Sequence, residues 1–318
     1  MKKALLVGID HYSHGKLPSC VKDAEAMSML LSKNYDGNLN FHCRQLLSKE
    51  TDIKSVSLDA LSLAIGDLFS GEGDVALFYF AGHGTKTGDD IYLTTQDNVK
   101  GRPGLLLSNL FSQANKATSW KEVVIILDCC YAGAAAEFKI NDSAVHLRQG
   151  MSVITSSMRD QNSRGNKEHG VFTNILLNGL GGHAADLIGR ITISGLYHYA
   201  DQLLGPWDQR PTFKTHINKV EPLRTTEPKI DLPKLRQIID LFPKQDLEFG
   251  LNPSYEYTVV GHNKENVKIF KTLQKFNQAG LVVPVGEEFM YFAAMNKKSC
   301  ALTARGKAYW NMIKKGLI

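Results

Sequence analysis

Two short motifs in this chain carry residue types that do chemistry together. Ala81-Gly82-His83-Gly84 closes the apolar run Val-Ala-Leu-Phe-Tyr-Phe at 75–80, and Asp128-Cys129-Cys130-Tyr131-Ala132-Gly133 closes Val-Val-Ile-Ile-Leu at 123–127. A free thiol has a pKa of roughly 8.5, so little of it is ionised at neutral pH. An imidazole within hydrogen-bond reach takes that proton and later returns it to a leaving amine. Cys130 is therefore the candidate nucleophile and His83 the candidate base and acid. Gly82 and Gly84 let the backbone turn tightly, and the N–H groups of Gly84 and Cys130 are candidate oxyanion donors. Cys129 stays as an alternative nucleophile; strand alternation sends it to the opposite face from Cys130 and favours the latter. The same alternation puts Asp128 on the side of Cys130, so both can face one pocket.

Such residues need rigid elements under them. Continuous apolar runs rich in β-branched and aromatic residues suit strands buried on both faces of a parallel sheet, and ligands sit at the carboxyl ends of those strands. The periodicity predicts further strands at Ala4–Ile9, Phe41–Leu47, Met151–Ser156 and Pro211–Ile217, with a short extended piece at Ile91–Thr94. It predicts helices at Cys20–Asn34, Ser57–Phe69, Ser108–Ala117, Val171–Leu180 and Ser194–Leu204. Thr85–Asp90, 133–150 and Ser157–Gly170 read as polar loops. The alternation of strand and helix argues for an α/β doubly wound sheet with helices on both faces.

These residues carry a resemblance. The chain resembles the caspase-like cysteine peptidases, in their bacterial and metacaspase-type branch. The separation of His83 and Cys130, about 50 residues, fits that family's spacing. Metacaspases have Asp-(Cys/Ser)-Cys-His-Ser-Gly where this chain has Asp128-Cys129-Cys130-Tyr131-Ala132-Gly133, so Tyr and Ala replace His and Ser. Gly170-Val171-Phe172-Thr173, Ala184-Ala185-Asp186 and Ile191-Thr192 look like the second half of the bacterial members. The resemblance covers residues 1–220 and implies a caspase-like, six-stranded, mostly parallel sheet flanked by helices.

It also implies a substrate. In metacaspases an aspartate at the place of Asp128 and one in a Gly/Ser-Cys-x-x-Asp pattern bind a basic side chain before the scissile bond. Ser19-Cys20-Val21-Lys22-Asp23 matches that pattern, which makes Asp23 and Asp128 the expected acidic pocket, with Cys20 beside them. The expected reaction is cleavage of proteins after Arg or Lys. Some metacaspases need calcium; Asp89, Asp90, Asp97 and Glu137 are the acids nearest to hand, with a plain surface-loop reading favoured over a site. No other cofactor is expected. Bacterial relatives with added modules look like regulated effectors of defence or cell death, kept as zymogens. Arg148, Arg159, Arg164 and Lys167, with Lys139, lie in polar segments open to self-cleavage or to an upstream activating protease or sensor.

The whole chain sets the outer bounds. Its 318 residues, 43% hydrophobic and 22% charged, describe an ordinary globular protein of one or two domains. No apolar run nears the roughly 18 residues that span a membrane, and the run after Met1-Lys2-Lys3 is too short for a signal peptide. A cytoplasmic protein with no membrane partner is expected. Five cysteines, Cys20, Cys43, Cys129, Cys130 and Cys300, suggest neither a disulfide framework nor a zinc site.

The formal charge of +5 arises at the end, where residues 231–318 hold 13 basic and 8 acidic groups. Pro222, Pro228 and Pro233 mark residues 221–233 as a linker between a 1–220 peptidase domain and a 234–318 module. In that module a helix at Asn263–Gln278 precedes short β-like runs at Leu281–Val285, Phe289–Ala294 and Ser299–Leu302 and a last helix from Thr303, its expected N-cap. That order resembles a winged helix. Lys264, Lys268, Lys271 and Lys275 share one helical face, but arginine is scarce, so a protein-interaction or autoinhibitory role is expected ahead of nucleic-acid binding. The rival reading of the whole chain is a catalytically silent caspase-fold scaffold whose tail binds DNA or a protein.

Overall fold

The computed structural model describes residues 1–13, 15–52, 54–88, 90–129, 147–156, 168–204 and 210–318, with the backbone of 139–140 and 143–144. It divides into two compact units, Met1–Glu227 and Pro228–Ile318.

The first unit is built on six strands: β1 (Lys2–Gly8), β2 (Phe41–Leu47), β3 (Gly73–Ala81), β4 (Trp120–Asp128), β5 (Met151–Thr155) and β6 (Thr212–His216). They lie in the order β6-β5-β4-β3-β1-β2, all parallel except β6, which runs antiparallel to β5. The central strands are buried on both faces. Val75 to Phe80 and Val123 to Leu127 are wholly inaccessible, as both must be when helices cover the two sides of the sheet. Those helices are α1 (Cys20–Ser32), α2 (Leu58–Phe69), α3 (Leu107–Lys116), α4 (Val171–Asn178) and α5 (Ile193–Leu203). The strand order reverses between β1 and β3, which opens a crevice at their carboxyl ends. Among the described residues no helix is long and apolar enough to cross a membrane.

Glycine sets a close approach near those strand ends. A Cβ on Gly8, at the end of β1, would lie 2.4 Å from the Cys20 carbonyl oxygen. The first turn of α1 thus rests on bare backbone, which brings Cys20 and Asp23 down onto the strand ends.

Three segments differ from the sequence-based expectation. Part of the expected loop Thr85–Asp90 is strand: Gly84–Thr87 pairs antiparallel with Asp90–Val99, and Arg102–Leu106 completes a small three-stranded sheet. Phe289–Ala294, expected as β-like, forms a helix over Met290–Met295, because Met290, Ala293 and Ala294 are the buried positions and recur at helical spacing. The expected linker 221–233 begins inside the first unit: Glu221 N–H donates to Glu122 Oε1 at 2.7 Å, Leu223 is buried, and Arg224–Thr225 pairs with Arg190–Ile191. Three prolines signalled a break in regular structure, but not which side each backbone group would bond to.

The second unit adds α6 (Leu232–Arg236), α7 (Ile238–Leu241), α8 (Lys264–Gln278), α9 (Met290–Met295) and α10 (Ala304–Lys314). Its sheet, β7 (Phe249–Gly250), β8 (Val282–Val285) and β9 (Ser299–Leu302), has the antiparallel order β7-β9-β8. Phe242, Phe270, Leu273, Phe276 and Ala293 are buried in it. Thr303 caps α10, its hydroxyl accepting from Gly306 N–H at 3.0 Å.

Candidate active site

The register of β3 and β4 pairs Ala81 with Asp128, so the two motif-bearing strands end level. One residue further on they are still joined: Gly82 N–H donates to the Asp128 carbonyl at 3.3 Å. His83 follows, half-buried. Its backbone N–H donates to the Tyr12 hydroxyl at 2.9 Å, and its carbonyl accepts from Thr94 N–H at 2.9 Å. The Tyr12 ring packs on the imidazole with centroids 4.8 Å apart. Gly82 is required here, since a Cβ would sit 2.5 Å from the Tyr12 hydroxyl. The histidine is thus held through its main chain on one side and across its ring on the other. Gly84 opens the strand that follows and pairs with Leu93.

Cys130 lies outside the described residues. Cys129, its neighbour, is buried in the main core at 1% exposure, which keeps it from meeting a substrate. Cys20 is buried too, and burial, then the charges of Asp128, Asp10 and Asp23, push its thiol well above the ordinary range. A thiol so placed stays protonated and is a poor nucleophile.

Asp23 and Asp128, 105 positions apart in the sequence, converge at one point: an ideal Cβ on Gly170 would lie 3.3 Å from Asp23 Oδ2 and 3.4 Å from Asp128 Oδ2. Each carboxylate is about 1% exposed and each is hydrogen-bonded. Asp128 Oδ2 accepts from the Thr173 hydroxyl at 2.6 Å, and Thr173 is 2.7 Å from the Tyr79 hydroxyl. Asp23 accepts from Ser19 Oγ at 3.1 Å, from Gly170 N–H at 3.2 Å and from His169 Nδ1 at 2.7 Å. Burial raises the Asp23 pKa against these three donors. The Tyr79 hydroxyl, buried and close to Asp128 and Asp23, is held well above its usual range and stays neutral. The result is a pair of desolvated carboxylates that converge beside Gly170.

Several functional neighbours were not legible in the sequence. Tyr12 stands in no motif, and His169 and Gly170 read as the end of a polar loop and Thr173 as part of a helix. Gly170-Val171-Phe172-Thr173 was the available signal: the glycine gives the close approach and the threonine, one turn on, reaches Asp128.

Arg148, expected as a cleavage site, is instead a clamp. Its guanidinium donates to the carbonyls of Ala114, Ala117, Gln149 and Trp120, at 2.6 to 3.3 Å, and its own N–H donates to Asn115 Oδ1 at 2.9 Å. Four carbonyls around one guanidinium tie this residue to the end of α3 and to β4, whereas nicking needs a segment that opens easily. Arg159, Arg164 and Lys167 lie outside the described residues, as do Asp89, Glu137 and the side chain of Lys139. Of the remaining acids weighed for calcium, Asp90 is exposed, while Asp97 Oδ1 accepts from Leu58 N–H at 3.0 Å and from the Thr95 hydroxyl at 2.7 Å, at the start of α2. Among the described residues no three His, Cys, Asp or Glu side chains gather as metal ligands.

Residues 1–220 match the family model of the caspase domain. A crystal structure of a protein from Geobacter sulfurreducens is similar, with 19% identity over 71% of this chain and 99% of that one and a TM-score of 0.51. The crystal structure of caspase-1 from Spodoptera frugiperda gives 12% identity over 71% and 90% of the two chains, with a TM-score of 0.48. No curated protein matches in sequence.

Proposed function

The chain belongs to the caspase-domain family of cysteine peptidases, and from that premise we propose an endopeptidase that cleaves proteins after basic residues, arginine above all. The observation that carries this specificity is the meeting of Asp23 and Asp128 at Gly170. Two desolvated carboxylates facing one point suit a cationic side chain far better than an acidic or apolar one, and a planar guanidinium pairs with carboxylate through two parallel hydrogen bonds.

In this reading His83 takes the proton of the Cys130 thiol. The thiolate attacks the carbonyl carbon, and the N–H groups of Gly84 and Cys130 stabilise the oxyanion. The tetrahedral intermediate collapses, His83 hands its proton to the departing amine, and water then hydrolyses the thioester. Tyr12 fixes the imidazole for both transfers, through the His83 N–H and the ring contact. No cofactor takes part in these steps.

A peptidase of this specificity inside a cell needs restraint, which favours a latent form and an effector role in bacterial defence or cell death. With Arg148 spent on structure, Arg159, Arg164 and Lys167 are the proposed activating cuts; identical migration of wild type and Cys130→Ala after long incubation with basic substrates would remove self-cleavage. The second unit, with Lys264, Lys268, Lys271 and Lys275 all exposed on α8, is proposed as a winged-helix-like adaptor for a protein partner. Tight, steeply salt-dependent binding of duplex DNA by the full chain would reverse that assignment.

An arginyl chloromethyl ketone tests the site directly, because a thiolate displaces its chloride and leaves a stable adduct. Mass spectrometry is expected to place that adduct on Cys130, with an aspartyl reagent inert and with His83→Ala strongly slowed. An adduct on Cys129, or faster reaction with the aspartyl reagent, would overturn the reading.

A further inference from the structure

Asp23 is as deeply buried as Asp128, and its bonding is nearly complete without a substrate. Its side chain is 2% exposed. Oδ1 accepts from His169 Nδ1 at 2.7 Å, and Oδ2 accepts from Ser19 Oγ at 3.1 Å and Gly170 N–H at 3.2 Å. Ser19 sits at the head of α1 and Gly170 at the head of α4, so a guanidinium bonding Asp23 directly would have to displace donors fixed by two helices. His169 is different. Its ring remains 25% exposed although Nδ1 is committed to a buried carboxylate.

A carboxylate partner on Nδ1 fixes the tautomer of a neutral imidazole: the proton stays on Nδ1 and the lone pair is on Nε2. The exposed part of the ring then offers one acceptor, and among the described residues Nε2 has no hydrogen-bond partner. Through Gly170 the ring is one residue from the point where Asp23 and Asp128 meet.

Resting on the basic-residue reading above, we infer that His169 is a specificity-determining residue: its Nε2 accepts a hydrogen bond from the substrate's guanidinium while Asp128 supplies the facing carboxylate. Asp23 is then a positioning residue, which orients His169 and supplies negative charge from beneath. In this arrangement each acceptor, one on β4 and one at the entry to α4, takes one edge of the planar guanidinium. The compact lysine ammonium reaches only one of them well. Arginine and other amidinium groups are therefore preferred over lysine.

The test compares wild type with His169→Ala and His169→Gln on matched Arg and Lys peptide amides. It is paired with benzamidine binding to the same His169 forms in a Cys130→Ala background. Glutamine keeps a donor for Asp23 and an acceptor at the far end of its amide, so it serves as the conservative rescue. His169→Ala is expected to raise KM for Arg substrates about tenfold with kcat within about threefold, to narrow the Arg-over-Lys preference, and to weaken benzamidine about tenfold. His169→Gln is expected to recover most of that loss.

Unchanged KM and unchanged benzamidine affinity in His169→Ala would overturn the inference. So would a fall in kcat with slower alkylation of Cys130, which would move His169 to the catalytic machinery or to folding. If wild type cleaves neither peptide, the peptidase reading fails on its own. The benzamidine arm still decides the pocket: tight binding lost in His169→Ala keeps the inference, and absence of binding overturns it.

Discussion

Asp128 is held by a short chain of hydroxyls, and that chain has measurable consequences. Thr173 donates to Asp128 at 2.6 Å and lies 2.7 Å from the Tyr79 hydroxyl, which is fully buried. Thr173→Val removes both bonds and leaves a phenol stranded in the core. The expected cost is about 2 kcal/mol of stability, with roughly tenfold weaker turnover of Arg substrates, because Asp128 also loses its orienting donor. Tyr79→Phe in the same chain should return part of the stability and none of the turnover. Chemical denaturation of the two single variants and the double variant measures this as a coupling energy, and simple additivity would show that the hydroxyls do not act as a unit. At this scale the sequence offered candidates for the reacting residues but few for those that hold them. His83 and Cys130 stand in motifs with their own spacing. His169 is recognisable only through Asp23, 146 positions earlier, and Tyr12 only through His83, 71 positions later. Local pattern does not report contacts made across the fold.

The elements themselves were largely written in local pattern. β3 and β4 read as continuous apolar runs because both their faces are covered, and α2 showed its apolar stripe; the structure adds its Ser57 cap, which accepts from Ala60 N–H at 3.2 Å. What pattern left out was whatever depends on a neighbour. Gly84–Thr87 is too short and polar to announce itself as a strand without Asp90–Val99 beside it, and α9 sets two aromatic residues beside its buried alanines. Gly8 was likewise unremarkable, yet it sets the height of α1 above the sheet. Gly8→Ala places a methyl carbon 2.4 Å from the Cys20 carbonyl, a contact that only backbone movement can relieve. The expected loss is about 3 kcal/mol in denaturant unfolding, with weaker binding of basic substrates, because Asp23 shifts with its helix. A variant as stable as wild type would show that α1 does not rest on this glycine.

For the molecule as a whole, a buried titratable group lies at the end of the sheet opposite the candidate site. Glu122 enters β4 at the end away from the site, 2% exposed, with Oε1 bonded to Glu221 N–H and Oε2 without a partner among the described residues. Burial lifts its pKa from 4.5 to about 7. The folded state therefore holds this proton more tightly than the unfolded chain does. The stability it contributes is complete below about pH 4.5 and is lost as pH rises through about 7. Glu122→Gln cannot ionise, so it should exceed wild type by about 2 kcal/mol at pH 8 and match it near pH 4.5. Thermal unfolding at the two pH values checks this, and an equal offset at both would refute the titration. The central claim is the substrate side chain before the cut, and one assay meets it squarely: paired fluorogenic peptides with Arg or Asp at that position, given to wild type and to Cys130→Ala. The acidic pocket predicts turnover of the Arg peptide alone, abolished in Cys130→Ala. Turnover of the Asp peptide, or Arg turnover that survives the loss of Cys130, would contradict it.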